Sequence, residues 1–169
     1  MANDNWVGFA KSPKPDPSLS RLRVERSIAF SVTEENAFKL VTTAAGLTSW
    51  LHKTEKTDVR TSGKIFLLDV AEEFQRAVFS LVDVGRRVVI NSELFGEIEI
   101  KLDGKQSKLS ISFTKMVGDD ARAADQTTFA SCLERLAQQL VVEKRALRSQ
   151  TFTTLLHSQK FRTRQFLEF

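Results

Sequence analysis

The sequence has little cysteine, tyrosine, glycine and proline, and these shortages limit what the protein can be. Its one cysteine, Cys132, excludes an internal disulfide and fits a reducing compartment. It has 13 phenylalanines and two tryptophans but no tyrosine, so its aromatic rings carry no hydroxyl groups. A core built from such residues offers shape and apolar area rather than hydrogen bonds.

Targeting signals and metal-binding patterns are also missing. No apolar run is long enough to span a bilayer, and residues 1–20 lack the basic start and apolar stretch of a signal peptide. We therefore expect a cytoplasmic protein without a transmembrane segment. His52, His157 and Cys132 are scattered without ligand spacing, and no phosphate-binding glycine loop occurs. No metal, cofactor or catalytic residue is predicted.

Cys132 and His52 each allow a reactive and an unreactive interpretation. For Cys132 a packed helix thiol is favoured over a nucleophile, because buried cysteine mostly behaves as a small apolar residue. His52 follows Trp50 and Leu51 at a helix-to-strand corner. A solvent-exposed loop histidine is favoured there over a general base.

The net charge of +4 is concentrated at the C-terminal end. From Val142 to Phe169 there are six lysines or arginines and two acidic residues, while the remainder of the chain is balanced. The high isoelectric point therefore describes this part alone, and no specific nucleic-acid partner is expected.

The length of 169 residues is most simply one domain with tails. Residues 1–20 are predicted to be a flexible arm, since Pro13, Pro15 and Pro17 favour extended, solvated backbone. Residues 21–147 form the predicted domain. Residues 148–169 form a basic, amphipathic C-terminal extension.

A long helix is predicted from Asp120 to Leu147. Its apolar residues recur at intervals of four, three, four and seven, which places them on one helical face: Phe129, Leu133, Leu136, Leu140 and Leu147. Asp119 or Asp120 can cap the first turn. Gln138 lies off the apolar face.

Before this helix the pattern is that of strands. Residues 22–32 alternate between apolar and polar, which predicts a strand with one buried face. Arg26 alone occupies the buried register, so it is expected near a sheet edge or reaching out of the core. Thr33 can cap a short helix, and a second short helix ending near Trp50 and Leu51 would form a V with it.

Six further strands are predicted, over residues 54–60, 64–70, 73–82, 87–95, 97–102 and 108–116. Short turns such as Asp103-Gly104 join them, which implies an antiparallel sheet. Only the long helix can cover their apolar faces. The predicted fold class is α+β: an antiparallel, curved sheet of about seven strands wrapped around a long C-terminal helix, with two short helices after the first strand.

Three local motifs accompany this order of elements. The short helices contain Ala37, Phe38, Leu40, Thr42, Gly46, Leu47 and Trp50. A turn between two middle strands contains Val82, Gly85, Arg86, Arg87 and Val88. The long helix contains Thr128, Phe129, Leu133, Leu136 and Leu140.

These motifs resemble the START-like superfamily, also called helix-grip or SRPBCC, over about Leu22 to Val141. The branch most similar to them is related to the C-terminal domain of the activator of the Hsp-ninety ATPase. Phe129 and Thr128 stand where that branch has Trp and Gly, and the extension after Val141 is not part of its pattern. The resemblance implies binding of lipids, sterols, polyketides or plant hormones, less often cyclisation or dehydration, and for this branch a link to the stress response.

A cavity between the sheet and the long helix is the expected binding site, closed at one end by the V-shaped helices. We expect it to hold a small hydrophobic molecule, lipid-like or polyketide-like, without reaction. The expected lining residues are Phe30, Trp50, Leu67, Phe79, Ile90, Ile100, Phe113, Phe129 and Leu133. Each could instead simply fill the core.

Two polar residues depend on the strand register. If Ile65 and Leu67 face the cavity, Asp69 does so as well and could fix the polar end of a ligand. If the neighbouring residues face inward instead, Asp69 lies in water, and this alternative is favoured because an unpaired buried carboxylate is costly. Ser92 is the better inward candidate, beside Ile90.

Two other functions remain open on the sequence. One is a chaperone-associated or other protein-binding module, as the branch suggests. The other is a cyclase- or dehydratase-like enzyme, which would need a polar pair in the cavity from among Asp69, Ser92 and Arg26. The enzyme is the least favoured of the three.

The C-terminal extension also has two interpretations. On a helical projection it has an apolar side formed by Phe152, Leu155, Leu156, Phe166, Leu167 and Phe169. Its basic side suits an acidic partner, an anionic membrane surface or a nucleic acid. Its apolar side suits packing on the domain or on a second copy of it, which is favoured because six large apolar residues are many to leave in water. Ser149-Gln150-Thr151 is a weak break before it.

Truncation after Val141 separates these interpretations. If the extension packs on the domain, the truncated protein loses stability or solubility, measured as a lower melting temperature. If it is instead a binding arm in solvent, the melting temperature stays unchanged and only association that weakens with added salt is lost.

Overall fold

The fold is described here from a computed structural model. It describes the backbone of residues 16, 18–68 and 74–164, and the side chains of residues 16, 18–68 and 76–141. Most of the predicted N-terminal arm lies outside the described residues, as does Asp69.

Ten elements follow one another along the chain. The first strand and the two short helices are β1 (Leu19–Ala29), α1 (Glu34–Thr42) and α2 (Ala44–Trp50). Six strands follow: β2 (Thr54–Thr57), β3 (Lys64–Leu68), β4 (Phe74–Asp83), β5 (Arg87–Ser92), β6 (Gly96–Asp103) and β7 (Lys108–Gly118). The chain then enters α3 (Asp119–Arg164).

The seven strands form one antiparallel sheet in the order β1-β7-β6-β5-β4-β3-β2. Each strand after β2 pairs with its predecessor in sequence, and β1 pairs along its whole length with β7. The polar strand β2 lies at one edge of the sheet. This curved sheet around a long C-terminal helix, with two short helices after the first strand, is a helix-grip architecture of the α+β class and confirms the predicted fold.

The predicted apolar face of α3 is the face that the sheet holds. Phe129, Cys132, Leu133, Leu136 and Leu140 are all buried, whereas Gln138 is exposed. At the start of the helix the Arg122 guanidinium donates to the Ser20 hydroxyl (2.6 Å), and the Lys115 ammonium pairs with Asp125 (3.0 Å). Apolar burial thus orients the helix, and these polar contacts attach its first turns to β1 and β7.

The C-terminal end of α3 differs from the prediction. The helix continues to Arg164 rather than ending at Leu147, and it passes through Ser149-Gln150-Thr151 without a break. The physical reason is that none of these residues is Gly or Pro, and no Gly or Pro occurs after Val141. Whether the extension packs on the domain stays a prediction, because its side chains lie outside the described part of the chain.

The two short helices meet at the carbonyl oxygen of Leu40. Thr33 and Thr43 cap α1 and α2, each accepting the N–H of a residue three positions later. The Trp50 indole N–H donates to the Leu40 carbonyl across the V (3.1 Å). A Cβ at Gly46 would overlap the same carbonyl, so this position requires glycine. The Gly46 and Trp50 motif therefore sets the angle between α1 and α2.

Arg26 lies on β1, at a free edge of the sheet, with its side chain in the inward register. It lies opposite Ile111 on β7, and Ile111 is buried, so Arg26 occupies the inward register at the edge strand β1. Its guanidinium pairs with Glu134 of α3 (2.9 Å), and both side chains remain about half exposed. Arg26 thus lies at a sheet edge and reaches out of the core, as expected. A charged inward residue at an edge discourages pairing with another strand.

The predicted Asp103-Gly104 hairpin forms between β6 and β7, with a four-residue loop. The Asp103 carboxylate accepts the backbone N–H groups of Lys105 and Gln106 (3.1 Å each), and Ser107 takes the left-handed conformation (φ 49°). None of the helices in the described part of the chain is both long and apolar enough to cross a bilayer.

Core substitutions test the helix face. Leu133→Ala and Phe113→Ala each remove a buried side chain, and we expect each to lower the free energy of unfolding by about 2–5 kcal/mol. Gln138→Ala, on the exposed face of the same helix, is the control and should change it by less than about 0.5 kcal/mol. Equal melting temperatures for Leu133→Ala and Gln138→Ala would show that the gripped face is assigned wrongly.

Candidate functional site

The nine apolar residues predicted to line the cavity all lie between the sheet and the helices. Each is at most 5% exposed, and they belong to one continuous hydrophobic cluster: Phe30, Trp50, Leu67, Phe79, Ile90, Ile100, Phe113, Phe129 and Leu133. The structure therefore brings together residues that are up to 103 positions apart in the sequence, between Phe30 and Leu133. In this arrangement their side chains pack against one another as the core of the domain.

Phe113 and Phe129 form the central contact between sheet and helix. Phe113 lies on β7 and Phe129 on α3, and their rings stack with centroids 4.7 Å apart and planes 13° from parallel. Offset or parallel stacking of two aromatic rings adds about 0.5–1.5 kcal/mol to the burial of their area. This pair fixes the distance between α3 and β7.

Among the described residues, helix α3 packs against β1, β7 and α2. Strands β3, β4 and β5 turn Leu67, Phe79 and Ile90 toward the same interior, and these three side chains are at most 1% exposed.

Ser92 faces inward, as expected, but its hydroxyl oxygen is already used as an acceptor. It is 9% exposed at the end of β5, and its Oγ accepts the backbone N–H of Leu94 (3.1 Å) and of Phe95 (3.4 Å). These bonds form the turn into β6. Ser92 is therefore a turn residue whose acceptor capacity is used, while its O–H remains free to donate.

The favoured register of β3, with the neighbours of Ile65 and Leu67 facing inward, is wrong. Ile65 and Leu67 themselves face inward and are 1% exposed, while Phe66 and Leu68 are intermediate. The strand ends at Leu68, and Asp69 lies outside the described residues, so whether its carboxylate faces the interior stays a prediction.

Cys132 is a packed helix thiol, as favoured by the sequence. Its Sγ lies 3.7 Å from the Leu51 carbonyl oxygen and 3.3 Å from the Arg135 guanidinium. Burial raises the pKa of the thiol, and the nearby guanidinium offsets this only in part. Arg135 also donates to the Leu51 carbonyl (3.3 Å), so the pair joins α3 to the end of α2.

His52 was assigned by sequence reasoning to a solvent-exposed loop, and this is wrong for its ring. The residue is only partly exposed, and its Nε2 atom is buried without a hydrogen-bond partner. The ring stands edge-on to Phe95, with centroids 5.9 Å apart and planes 62° from parallel. The position of His52 directly after the buried pair Trp50-Leu51 could have indicated partial burial. The sequence could not show that Phe95, in the turn after β5, contacts the ring.

A polar cavity of about 460 Å³ lies on the outer face of the sheet, across β1, β7 and β6. Ser112, at its floor, lies between Glu25 of β1 and Glu99 of β6. Burial raises the pKa of Glu99, but pairing with Lys101 (3.1 Å) and Arg87 (2.6 Å) outweighs this and holds that pKa below its usual value. The Glu99 carboxylate is thus paired with neighbouring cations, which is typical of a solvated outer face of a sheet.

Another cavity, of about 640 Å³, lies on the exposed side of α3. It is lined by Ala123, Gln126, Thr127, Ala130, Ser131 and Glu134. No group of three or more potential metal ligands occurs among the residues that the structure describes.

Comparison with known proteins supports the fold and leaves the function open. No protein-family model matches the sequence, and no curated protein matches it. A protein of unknown function from Staphylococcus aureus is structurally similar, with a TM-score of 0.59 at 10% identity, over 77% of this chain and 99% of that one. A Bacillus halodurans protein is similar with a TM-score of 0.55 at 15% identity, over 71% of this chain and 98% of that one. A protein from the dynemicin biosynthetic locus has a TM-score of 0.54 at 15% identity, over 71% of this chain and 46% of its own length.

Proposed function

We propose that the protein binds a small hydrophobic molecule, without reaction, in the interior between β3–β5 and α3. The observation that carries this proposal is the continuous cluster of buried apolar side chains between the sheet and the helices. The inward residues Leu67, Phe79 and Ile90 of β3, β4 and β5 form part of this layer and are at most 1% exposed. An apolar ligand could take the place of side-chain contacts in this layer without leaving buried polar groups unpaired.

The chemistry of the interior favours binding over catalysis. The buried polar residues among those described are Thr42, Thr54, Ser92 and Ser112, and the first three have hydroxyls bonded to nearby backbone groups. Ser112 lies on the outer face. The thiol of Cys132 has a raised pKa, which disfavours the reactive thiolate. These residues form no pair of nucleophile and base of the kind that acyl transfer or cyclisation needs.

Filling the interior should abolish ligand binding. Ala77 of β4 faces inward at 2% exposure, between Ile65 and Ser92 on the neighbouring strands. We expect Ala77→Leu to weaken binding of a fluorescent fatty-acid analogue by roughly tenfold, equivalent to about 1.4 kcal/mol, because the added carbons occupy the ligand volume. Fluorescence titration measures the affinity, and native mass spectrometry of protein from its own host checks for a co-purified adduct.

The control is the next residue on the same strand. Val78 points outward and is 38% exposed, so Val78→Leu enlarges a side chain outside the interior and should leave binding unchanged. Thermal melts of both variants separate lost binding from lost folding, since overpacking costs about 1–3 kcal/mol. Absence of both an adduct and probe binding in the unmodified protein would disprove the proposal.

A second candidate is a protein-binding module of the Hsp-ninety ATPase activator type. The observation that favours it is the exposed side of α3, where small residues with few charges surround the 640 Å³ cavity. Depletion of charged residues is typical of the core of a protein–protein interface.

This candidate predicts that Ala130→Arg blocks association, because a long charged side chain would stand in the middle of the face. Pull-down from host lysate, with a chaperone ATPase as the expected partner, measures the effect. Gln138→Arg, exposed further along the helix, is the matched control. If the unmodified protein recovers no chaperone, this candidate is rejected and the ligand-binding proposal is unaffected.

A further inference from the structure

The buried nitrogen of His52 lacks the hydrogen bond that such a group normally has. Its Nε2 atom is shielded from solvent, and no donor or acceptor among the described residues bonds to it. Most buried polar atoms have at least one partner, and an unsatisfied one requires an explanation such as a missing water, ion or ligand. This atom is therefore a place where the interior can accept one more polar group.

The position of the ring links it to the proposed cavity. The His52 backbone N–H donates to the Leu47 carbonyl (3.1 Å), which fixes the residue at the end of α2. Phe95, the ring's edge-on neighbour, is 3% exposed and belongs to the core cluster. Leu51, the preceding residue, is held by Arg135 of α3. The imidazole thus stands where α2, α3 and the turn after β5 meet.

Other polar groups at this corner already have hydrogen-bond partners. The Thr54 hydroxyl donates to the His52 carbonyl (2.7 Å), and the Thr54 N–H donates to the Thr48 hydroxyl (2.9 Å). Ser92 accepts the N–H groups of its own turn, and its O–H remains available as a donor. Among the buried side-chain atoms described at this corner, Nε2 of His52 is the one without any hydrogen-bond partner.

We propose that Nε2 of His52 binds the polar end of the ligand, and that the ligand is a hydrocarbon with a terminal hydroxyl group. This inference rests on the proposed function and names the chemistry of the same site. A hydroxyl suits this position because it can both donate and accept, so it can bond to either tautomer of a neutral imidazole. The hydrocarbon part then extends among Leu67, Phe79 and Ile90.

The test compares two probes of similar size, octan-1-ol and 1-chlorooctane, of which only the alcohol can donate a hydrogen bond. His52→Phe keeps an aromatic ring against Phe95 but removes both ring nitrogens. We expect it to weaken binding of octan-1-ol by roughly threefold to tenfold, the range for one hydrogen bond to a neutral group, and to leave 1-chlorooctane unchanged. Isothermal titration calorimetry on the 169-residue chain measures both affinities.

A second readout is independent of affinity. The chain contains two histidines, so ¹⁵N NMR gives few imidazole signals, and His52→Phe assigns them. Octan-1-ol should shift the Nε2 signal of His52, and 1-chlorooctane should not. The matched control is Lys53→Ala, an exposed neighbour that should change neither measurement.

The outcomes separate this inference from the proposal on which it rests. If octan-1-ol binds and His52→Phe alters both probes equally or neither, His52 is not the anchor, while interior ligand binding stands. If neither probe binds the unmodified protein at all, the proposed function fails and the anchor fails with it.

Discussion

The structure depends on one requirement, which is that the apolar inner face of a seven-stranded sheet must be covered. Every strand from β3 to β7 contributes buried residues to that face, and α3 is the element with a matching apolar stripe. The stacked rings of Phe113 and Phe129 form part of this contact between sheet and helix. Burial of apolar area drives the association, and the helix cannot rotate without exposing Leu133 or Leu136 to water.

Polar contacts then determine how the helix is placed on the sheet. Arg122 ties its start to β1, Arg26 and Glu134 join the edge strand to its middle, and Arg135 reaches the Leu51 carbonyl at the end of α2. Exposed pairs of this kind contribute little stability each, about 0–1 kcal/mol, so their main effect is on orientation. They orient α3 with respect to β1 and to the end of α2.

The candidate site was predictable in its apolar part and much less so in its polar part. Alternation along strands identifies Phe79, Ile90 and Phe113 as inward-facing, because a residue's side of a sheet follows from its parity. This rule does not predict the hydrogen bonds or burial of polar residues at strand ends. Ser92 was correctly placed inward, yet its use in a turn depends on the backbone of Phe95. His52 was misassigned because the ring's burial depends on Phe95, a residue 43 positions further along the chain.

The sequence by itself determined the order and type of the elements, the gripped face of α3, the capping of α1 by Thr33 and the excess of positive charge after Val141. Each of these follows from local spacing or composition, which do not require knowledge of distant contacts. Only the tertiary structure decided that Gly46 and Trp50 both meet the Leu40 carbonyl, that Arg26 pairs with Glu134, and that the ring nitrogen of His52 is buried without a partner. These features depend on which surfaces come together when the sheet closes on the helix, and that is set by packing of residues far apart in the chain.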